Sequence, residues 1–170
     1  MKFDRFVAVV FVALAATGCQ KAGNSTDTVV DLSEPREAQP KLPMIQLWLG
    51  PEQITAEMAL TAEQERTGMM FRTNMPENEG MIFVFPPQRA SFWMKNCPLP
   101  LSVAYLDSDG VIQEIHDLQP QDTNAVLSAS DNIAYALETP QGWFQRHRVR
   151  PGMTVRSERG ALRDTFHRRP

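Results

Sequence analysis

Short apolar segments recur along the chain between Met44 and Ser157, separated by turn-forming and polar residues. Residues 45–49 and 53–60 are short, mostly apolar segments, which predicts two short strands. Residues 81–85 are apolar at every position, a pattern typical of a strand that is buried on both faces. The same criteria predict further strands at residues 91–96, 101–107, 111–116, 133–139 and 149–156.

The segments between these strands predict turns and short helices. Thr61 and Gln64 have the spacing of a capping box and Gly68 supplies a stop, so a short helix is expected between them. Ser108-Asp109-Gly110 predicts a hairpin turn, and residues 142–147 favour a second helical turn. The predicted fold class is therefore mostly β (α+β): a compact single domain with a β-barrel-like or strongly bent antiparallel sheet and one or two short helices.

The first eighteen residues have the pattern of an export signal. Two basic residues precede the apolar run 6–16, which is too short to span a bilayer. Cys19 follows Ala16-Thr17-Gly18, and this arrangement resembles the bacterial lipobox. The resemblance implies cleavage before Cys19, transfer of a diacylglycerol to its sulfur, and acylation of the new amino group by a palmitate-type chain. The alternative is an ordinary secretory signal followed by an incidental cysteine.

The location expected for such a lipoprotein is the bacterial cell envelope, facing the periplasm. Gln20 stands after the cysteine in place of the Asp that resembles an inner-membrane retention signal, so the outer membrane is favoured. Residues 19–43 are rich in polar residues and proline and are predicted to form a lipidated, flexible tether. Cys97 would be the remaining thiol, so an intrachain disulfide is not expected.

Composition and charge refine this organisation. With 170 residues, 9 Gly and 2 Cys, the chain is expected to be one globular domain, not a collagen-like or disulfide-scaffold protein. Residues 1–145 carry 9 basic and 18 acidic side chains, whereas residues 146–170 carry 8 and 2. The basic tail, residues 158–170, is predicted either to dock on an envelope partner or to remain a solvated segment.

Several sequence blocks occur together in a defined order. They are Glu57-Met58-Ala59, residues 65–72, residues 80–85, Phe92-Trp93-Met94-Lys95-Asn96, residues 98–101, residues 107–110 and residues 136–143. In this order and spacing, residues 44–157 resemble the prokaryotic family called domain of unknown function 192. The resemblance implies a small, compact, β-rich domain and no established activity. This chain departs from the family pattern at three positions. Cys97 stands where Thr is usual, and Ser102 and Met153 each stand where Asp is usual.

Six polar or aromatic residues within the apolar blocks are candidate binding residues: Arg66, Arg72, Trp93, Lys95, Asn96 and Glu138. A buried charge is costly unless it is paired, so these side chains form either a structural network, such as an arginine with Glu138, or a ligand pocket. Strand alternation places Glu138 on the same face as the small residues Ala134 and Ala136, which would leave space for a partner.

Two of these residues, Trp93 and Lys95, lie on the predicted strand 91–96, and Cys97 follows it. Alternation places Trp93, Lys95 and Cys97 on one side of that strand. Trp93 beside Lys95 could stack a flat or sugar-like ligand, although a Trp on such a strand is more often part of the core. Cys97 as a nucleophile would need a base such as His116, and a small semi-buried thiol is the simpler interpretation.

The sequence contains no recognisable catalytic or cofactor motif. It lacks a phosphate loop, a dinucleotide fingerprint, a Ser-centred elbow and a metal-ligand spacing, so no cofactor and no metal are predicted. We therefore expect an envelope lipoprotein with a small-ligand-binding or accessory domain. Its partners would be membrane lipid, through Cys19, and a small ligand or envelope protein, but not nucleic acid. The alternatives are an enzyme with Glu138 or Lys95 as acid or base, and a module that docks through its basic tail.

Overall fold

The computed structural model describes residues 34–167, and the structural statements below refer to that part of the chain. The predicted signal (residues 1–18), the predicted lipid attachment at Cys19 and much of the predicted tether lie outside the described residues. Of the described residues, 43% lie in strands and 11% in helices, which confirms the predicted mostly β class. None of the helices in residues 34–167 is long and apolar enough to cross a membrane.

A large bent sheet of eight strands forms the centre of the described domain and does not close into a barrel. In chain order its strands are β1 (Met44–Leu49), β2 (Glu52–Ala59), β3 (Glu79–Gln88), β5 (Leu101–Asp107), β6 (Ile112–Leu118), β8 (Ile133–Pro140), β9 (Val155–Ser157) and β10 (Gly160–Ala161). Their order across the sheet is β10-β9-β1-β2-β3-β8-β5-β6, and only the β2–β3 pair among them is parallel. A second, two-stranded sheet pairs β4 (Ser91–Phe92) with β7 (Val126–Leu127).

Three short helices accompany the sheets in the described part of the chain. They are α1 (Ala62–Thr67), α2 (Trp143–Arg146) and α3 (Leu162–Phe166). The predicted capping box at the start of α1 is confirmed: Thr61 Oγ1 accepts a hydrogen bond from Gln64 N, and Gln64 Oε1 accepts one from Thr61 N. Gly68 ends α1 with φ +45°, a conformation that costs a glycine little.

The two faces of the large sheet pack against different cores. Alternating residues such as Ile82 and Leu137 belong to one core, which β1, β9, α2 and α3 complete. Their neighbours Met81 and Ala136 belong to the other core, which the segments after α1 and around β4 complete. Because consecutive strand residues point to opposite faces, Glu138 lies on the second face, with Ala136.

Three details of the predicted elements are wrong. Residues 93–97 form a turn and not the end of a strand, because Asn96 adopts a left-handed conformation (φ +58°) and Pro98 follows shortly after. Residues 149–154 are not a strand; β9 contains only the last part of the predicted segment. Ala134 and Ala136 belong to different cores, since the register of β8 shifts near Ile133.

The regions flanking the domain contact it. Gln39 donates from Nε2 to the carbonyl oxygens of Gln64 and Gly68, and the amide of Leu42 donates to Glu57. Within the predicted basic tail, β10 pairs with β9, and Leu162 of α3 is completely buried. These contacts show that residues 39–42 and 160–162 pack as part of the folded body.

Candidate functional site

An open cavity of about 380 Å³ lies on the second face of the large sheet, between α1, β3 and the segment around β4. Its volume falls at the lower end of the range of roughly 300–1,000 Å³ that is usual for small-molecule sites. The side chains and backbone that line it are Ala62, Glu65, Arg66, Thr67, Gly68, Met69, Met70, Phe83, Phe85, Gln88, Arg89, Ala90, Ser91, Phe92, Trp93, Met94, Cys97 and Glu138. Most of the buried members of this set are apolar, and Glu138 is the buried carboxyl among them.

Glu138 occupies a central position in the sheet. Its strand β8 lies between β3 and β5, and Glu138 pairs with Met81 on one side and Val103 on the other. Gly80 allows β3 to approach closely here, because a Cβ at that position would lie 2.6 Å from the carbonyl oxygen of Glu138. The carboxyl group is therefore held on a rigid backbone at the wall of the cavity.

The carboxyl of Glu138 is buried without a counter-ion among residues 34–167. The residue is 4% exposed, and its Oε2 is inaccessible to solvent and accepts or donates no hydrogen bond within this part of the chain. Burial raises the pKa of Glu138 from its ordinary value of 4.5 to about 8. The group is thus mostly protonated at neutral pH, and it can then donate as well as accept a hydrogen bond.

Cys97 lies in the same cavity but is a weak candidate for a nucleophile. Its thiol is buried, and burial, with a smaller contribution from the nearby Glu138 carboxyl, raises the pKa of Cys97 to about 11. The thiolate is the reactive form, so this thiol is inert at neutral pH. His116, the base considered for it, has its Nε2 2.8 Å from Glu114 Oε2 on the same strand. The geometry favours the interpretation of Cys97 as a buried structural thiol.

Aromatic side chains form part of the cavity wall and its rim. Phe83 and Phe92 meet edge to face, with 4.9 Å between ring centroids. Trp93 also lines the cavity and is 46% exposed, so it is not part of the core. The ammonium of Lys95 lies 5.4 Å from the Trp93 ring centroid, within cation–π range. Trp93 therefore presents a ring at the opening that already contacts one cation.

Two other predicted residues of the 92–96 block do not line the cavity. Lys95 Nζ donates to Glu34 Oε1 at 2.5 Å, a partner in the segment that precedes the domain. Asn96 accepts a hydrogen bond at its carbonyl oxygen from the amide of Phe71, at 2.7 Å, and shapes the turn. Their positions favour structural roles, in holding the 93–97 turn against neighbouring segments.

Arg72 pairs with Glu57, so the suggested pairing with Glu138 is wrong for this arginine. Arg72 Nη1 and Nη2 lie 2.9 Å from Glu57 Oε1 and Oε2, a bidentate geometry that fits a guanidinium. Glu57 is 5% exposed and also accepts from the amide of Leu42. Arg72 lines a separate cavity of about 220 Å³ with Glu57 and Lys41.

The structure therefore brings three of the six predicted residues to one cavity: Arg66, Trp93 and Glu138. Arg66 reaches it from α1, whose neighbouring Glu65 also lines it, and burial raises the pKa of Glu65. Sequence reasoning missed the apolar lining, including Met69, Phe85 and Met94, because such side chains are indistinguishable from ordinary core residues in a sequence. Within residues 34–167, no group of three or more His, Cys, Asp or Glu side chains is arranged to hold a metal ion.

Comparison with known proteins identifies relatives over the same region. Residues 46–157 match the sequence model of DUF192, a family described as "Uncharacterized ACR". A solved structure presented as a candidate transcription regulator from Sinorhizobium meliloti 1021 is 30% identical, with a TM-score of 0.67, and the match covers 71% of this chain and 98% of that one. A protein of unknown function from Novosphingobium aromaticivorans DSM 12444 is 29% identical, with a TM-score of 0.64, covering 69% and 89%. No curated protein sequence matches the chain.

Proposed function

The chain belongs to the DUF192 family, and from this premise we propose that it is a lipid-anchored envelope protein whose domain binds a small organic molecule in the cavity around Glu138. The observation that carries the binding proposal is the carboxyl itself. Its Oε2 is buried and has no hydrogen-bond partner in residues 34–167, yet the side chain lines an open cavity. Most buried polar groups in native proteins are satisfied, so an exception at a cavity points to a partner from outside.

The lining residues offer both the area and the specificity that a ligand site needs. Apolar side chains such as Phe83, Phe85 and Met94 supply contact surface, and Glu138 supplies an orienting polar group. Trp93 at the opening provides a ring that a ligand can cover on entry. This combination is usual for small-molecule pockets and unusual for a sealed core.

Methionine methyl groups provide a direct test of ligand binding. We expect small organic fragments that bind here to shift the ¹³C-methyl resonances of Met69, Met70 and Met94, which line the cavity, and to leave Met153, in the other core, unchanged. The variant Glu138→Leu should weaken or abolish these shifts. Fragments that shift only Met153, or shifts that are the same in the variant, would contradict the site.

Catalysis is a second candidate function, favoured by one observation. A carboxyl with a pKa of about 8 is suited to donate or accept a proton near neutral pH. Glu138 is thus the acid–base candidate, whereas Lys95 is engaged with Glu34 and lies outside the cavity lining. Turnover of any substrate by the wild type, abolished in Glu138→Gln, would support this function over simple binding.

The envelope location is proposed from the sequence of the first twenty residues. Lipidation is tested by feeding cells an alkyne-labelled palmitate and detecting the label on the protein. We expect labelling of the wild type and none of Cys19→Ala, with the wild type in the outer-membrane fraction. An unlabelled wild type that is released into the periplasm would indicate an ordinary secretory signal.

Partners other than small ligands are less favoured. Residues 44–157 carry 8 basic and 13 acidic side chains, a balance that opposes binding to nucleic-acid phosphates. The relative presented as a candidate transcription regulator therefore does not change the proposal. In the basic tail, Arg163 pairs with Asp109 of the domain, and Leu162 is buried in the core. Both contacts use the tail within its own chain and make docking through it the weaker alternative.

A further inference from the structure

We propose that the cavity around Glu138 takes an organic cation, an ammonium group carried on an apolar or aromatic frame. This inference rests on the proposed binding function and names the chemical class of the ligand. In the bound state the ammonium would lie against the Glu138 carboxylate, and its frame would contact the rings and thioethers of the lining.

Two buried glutamates of the same sheet differ in what lies beside them. Glu57 on β2 pairs across to Met81 on β3, which in turn pairs with Glu138 on β8, so the two carboxyls belong to one row on one face. Glu57 has a bidentate partner in Arg72. Glu138 is equally buried but has an open cavity in the corresponding place. The fold thus supplies Glu57 with a cation, whereas beside Glu138 it leaves space for a cation from outside the protein.

The wall of the cavity suits a cation on an apolar frame. Aromatic rings attract cations through the negative potential of their faces, and Phe83, Phe92 and Trp93 line this space. Trp93 already has the ammonium of Lys95 at 5.4 Å from its ring centroid. The thioethers of Met69 and Met94 add polarizable surface that adapts to an alkyl or aromatic frame.

The ionisable side chains around the cavity include both signs of charge. Among residues 34–167, four ionisable side chains besides Cys97 line the cavity, two acidic (Glu65, Glu138) and two basic (Arg66, Arg89), so they give no net preference for an anion. Only Glu138 of these four is fully buried; Arg89 is exposed, and its Nη2 is 3.4 Å from the carbonyl oxygen of Ala129. A ligand anion at the buried end would face a carboxyl, whereas a cation there would replace the solvation that Glu138 has lost.

Isothermal titration of the full chain in detergent with three matched probes tests the inference. The probes are 2-phenylethylammonium, the neutral 2-phenylethanol and the anionic phenylacetate, which have the same number of carbons, with detergent alone as the blank. We expect the ammonium to bind tightest, and Glu138→Gln to weaken it by tenfold or more at pH 8, about 1.4 kcal/mol. Glu63→Gln is the matched control: it makes the same change on exposed α1 surface outside the cavity lining, and it should leave binding unchanged.

The pH dependence gives a second readout. A group with a pKa of about 8 is half ionised at pH 8 and about 1% ionised at pH 6, so the ammonium should bind roughly 50-fold tighter at pH 8. Burial, with a smaller contribution from the Glu138 carboxylate, raises the pKa of both Cys97 and Tyr105 well above this interval, so neither group titrates within it. Glu65, Arg66 and Arg89 also line the cavity, but burial alone is the cause of the raised pKa of Glu138. Binding should also release protons, which titration in buffers of different ionisation enthalpy detects.

The outcomes separate this inference from the proposed function. If the alcohol or the carboxylate binds better than the ammonium and depends on Glu138, the ligand class is wrong, and the binding site stands. If all three probes bind equally in the wild type and in Glu138→Gln, Glu138 does not select the ligand, and the inference is likewise overturned. If none of the probes binds, both the inference and the cavity as a ligand site are contradicted.

Discussion

Replacing Glu138 with Gln should stabilise the protein at neutral and alkaline pH, and the effect should grow with pH. The carboxyl is fully buried, and burial raises its pKa from 4.5 in the unfolded chain to about 8 in the folded one. Because the folded state holds the proton more tightly, stability is lost as pH rises between these two values. Gln keeps the shape and the hydrogen-bonding capacity of the protonated acid but has no charge to bury.

The expected magnitude follows from the difference between the two pKa values. At about 1.4 kcal/mol per pH unit, the interval from 4.5 to about 8 corresponds to about 5 kcal/mol in the free energy of unfolding. About 1 kcal/mol of this is already lost at pH 5, and nearly all of it at pH 9. The advantage of Glu138→Gln over the wild type should therefore increase by about 4 kcal/mol between pH 5 and pH 9.

Urea unfolding of both proteins at pH 5, 7 and 9, without added ligand, measures this difference. Other titrating groups are common to the two proteins and cancel in the comparison, provided that the dependence on urea has the same slope. Glu63→Gln changes an exposed residue on α1, and its free energy of unfolding should depend on pH in the same way as that of the wild type. If the free energy of unfolding of Glu138→Gln also depends on pH as that of the wild type does, the Glu138 carboxyl is solvated or paired in the folded protein. That result would refute the description of this carboxyl as buried and unpaired.

Three further predictions concern the residues around the site. Arg72→Met should lower the free energy of unfolding in urea by about 3–5 kcal/mol, because it leaves the buried Glu57 without its cation. Adding Glu57→Gln to this variant should restore part of the loss. Equal stability of Arg72→Met and the wild type would contradict this prediction. Gly80→Ala should lower the free energy of unfolding by roughly 1–3 kcal/mol, since the added Cβ would clash with the backbone oxygen of Glu138. An unchanged midpoint of urea unfolding would show that β3 and β8 separate easily. Cys97 should react with iodoacetamide at pH 8 far more slowly in the native protein than in urea, because its pKa of about 11 keeps it protonated. Equal reaction rates in the two states would mean that the native thiolate is accessible.

The parts of the fold that depend on local pattern were predictable from the sequence. The strands β1 and β2 and the capping box of Thr61 and Gln64 depend on neighbours along the chain, and the structure confirms them. The 93–97 turn was missed because the apolar residues before it resemble a strand, although Asn96 followed by Pro98 was an available signal for left-handed backbone. Strand order was not predictable, since it depends on pairings such as β3 with β8 between distant segments.

The candidate site was only partly predictable. Glu138 was identified because a carboxylate in an apolar strand demands an explanation, and it is the residue on which the site now depends. Arg72 followed the same logic and is a structural partner of Glu57, because sequence cannot show which of two carboxyls an arginine reaches. The register shift near Ile133 also separated Ala134 from the Glu138 face, which strand alternation alone does not anticipate.

The most direct test of the account is a ¹³C NMR titration of the Glu138 carboxyl carbon, with and without 2-phenylethylammonium. Without the probe, the midpoint should lie near 8, as burial without a partner requires. With the probe at saturation, the midpoint should fall, because the bound cation stabilises the carboxylate. A titration midpoint near 4.5 in the free protein would contradict the claim that the Glu138 carboxyl is buried without a partner. A midpoint near 8 that the bound probe leaves unchanged would contradict the claim that this carboxyl binds the cationic ligand.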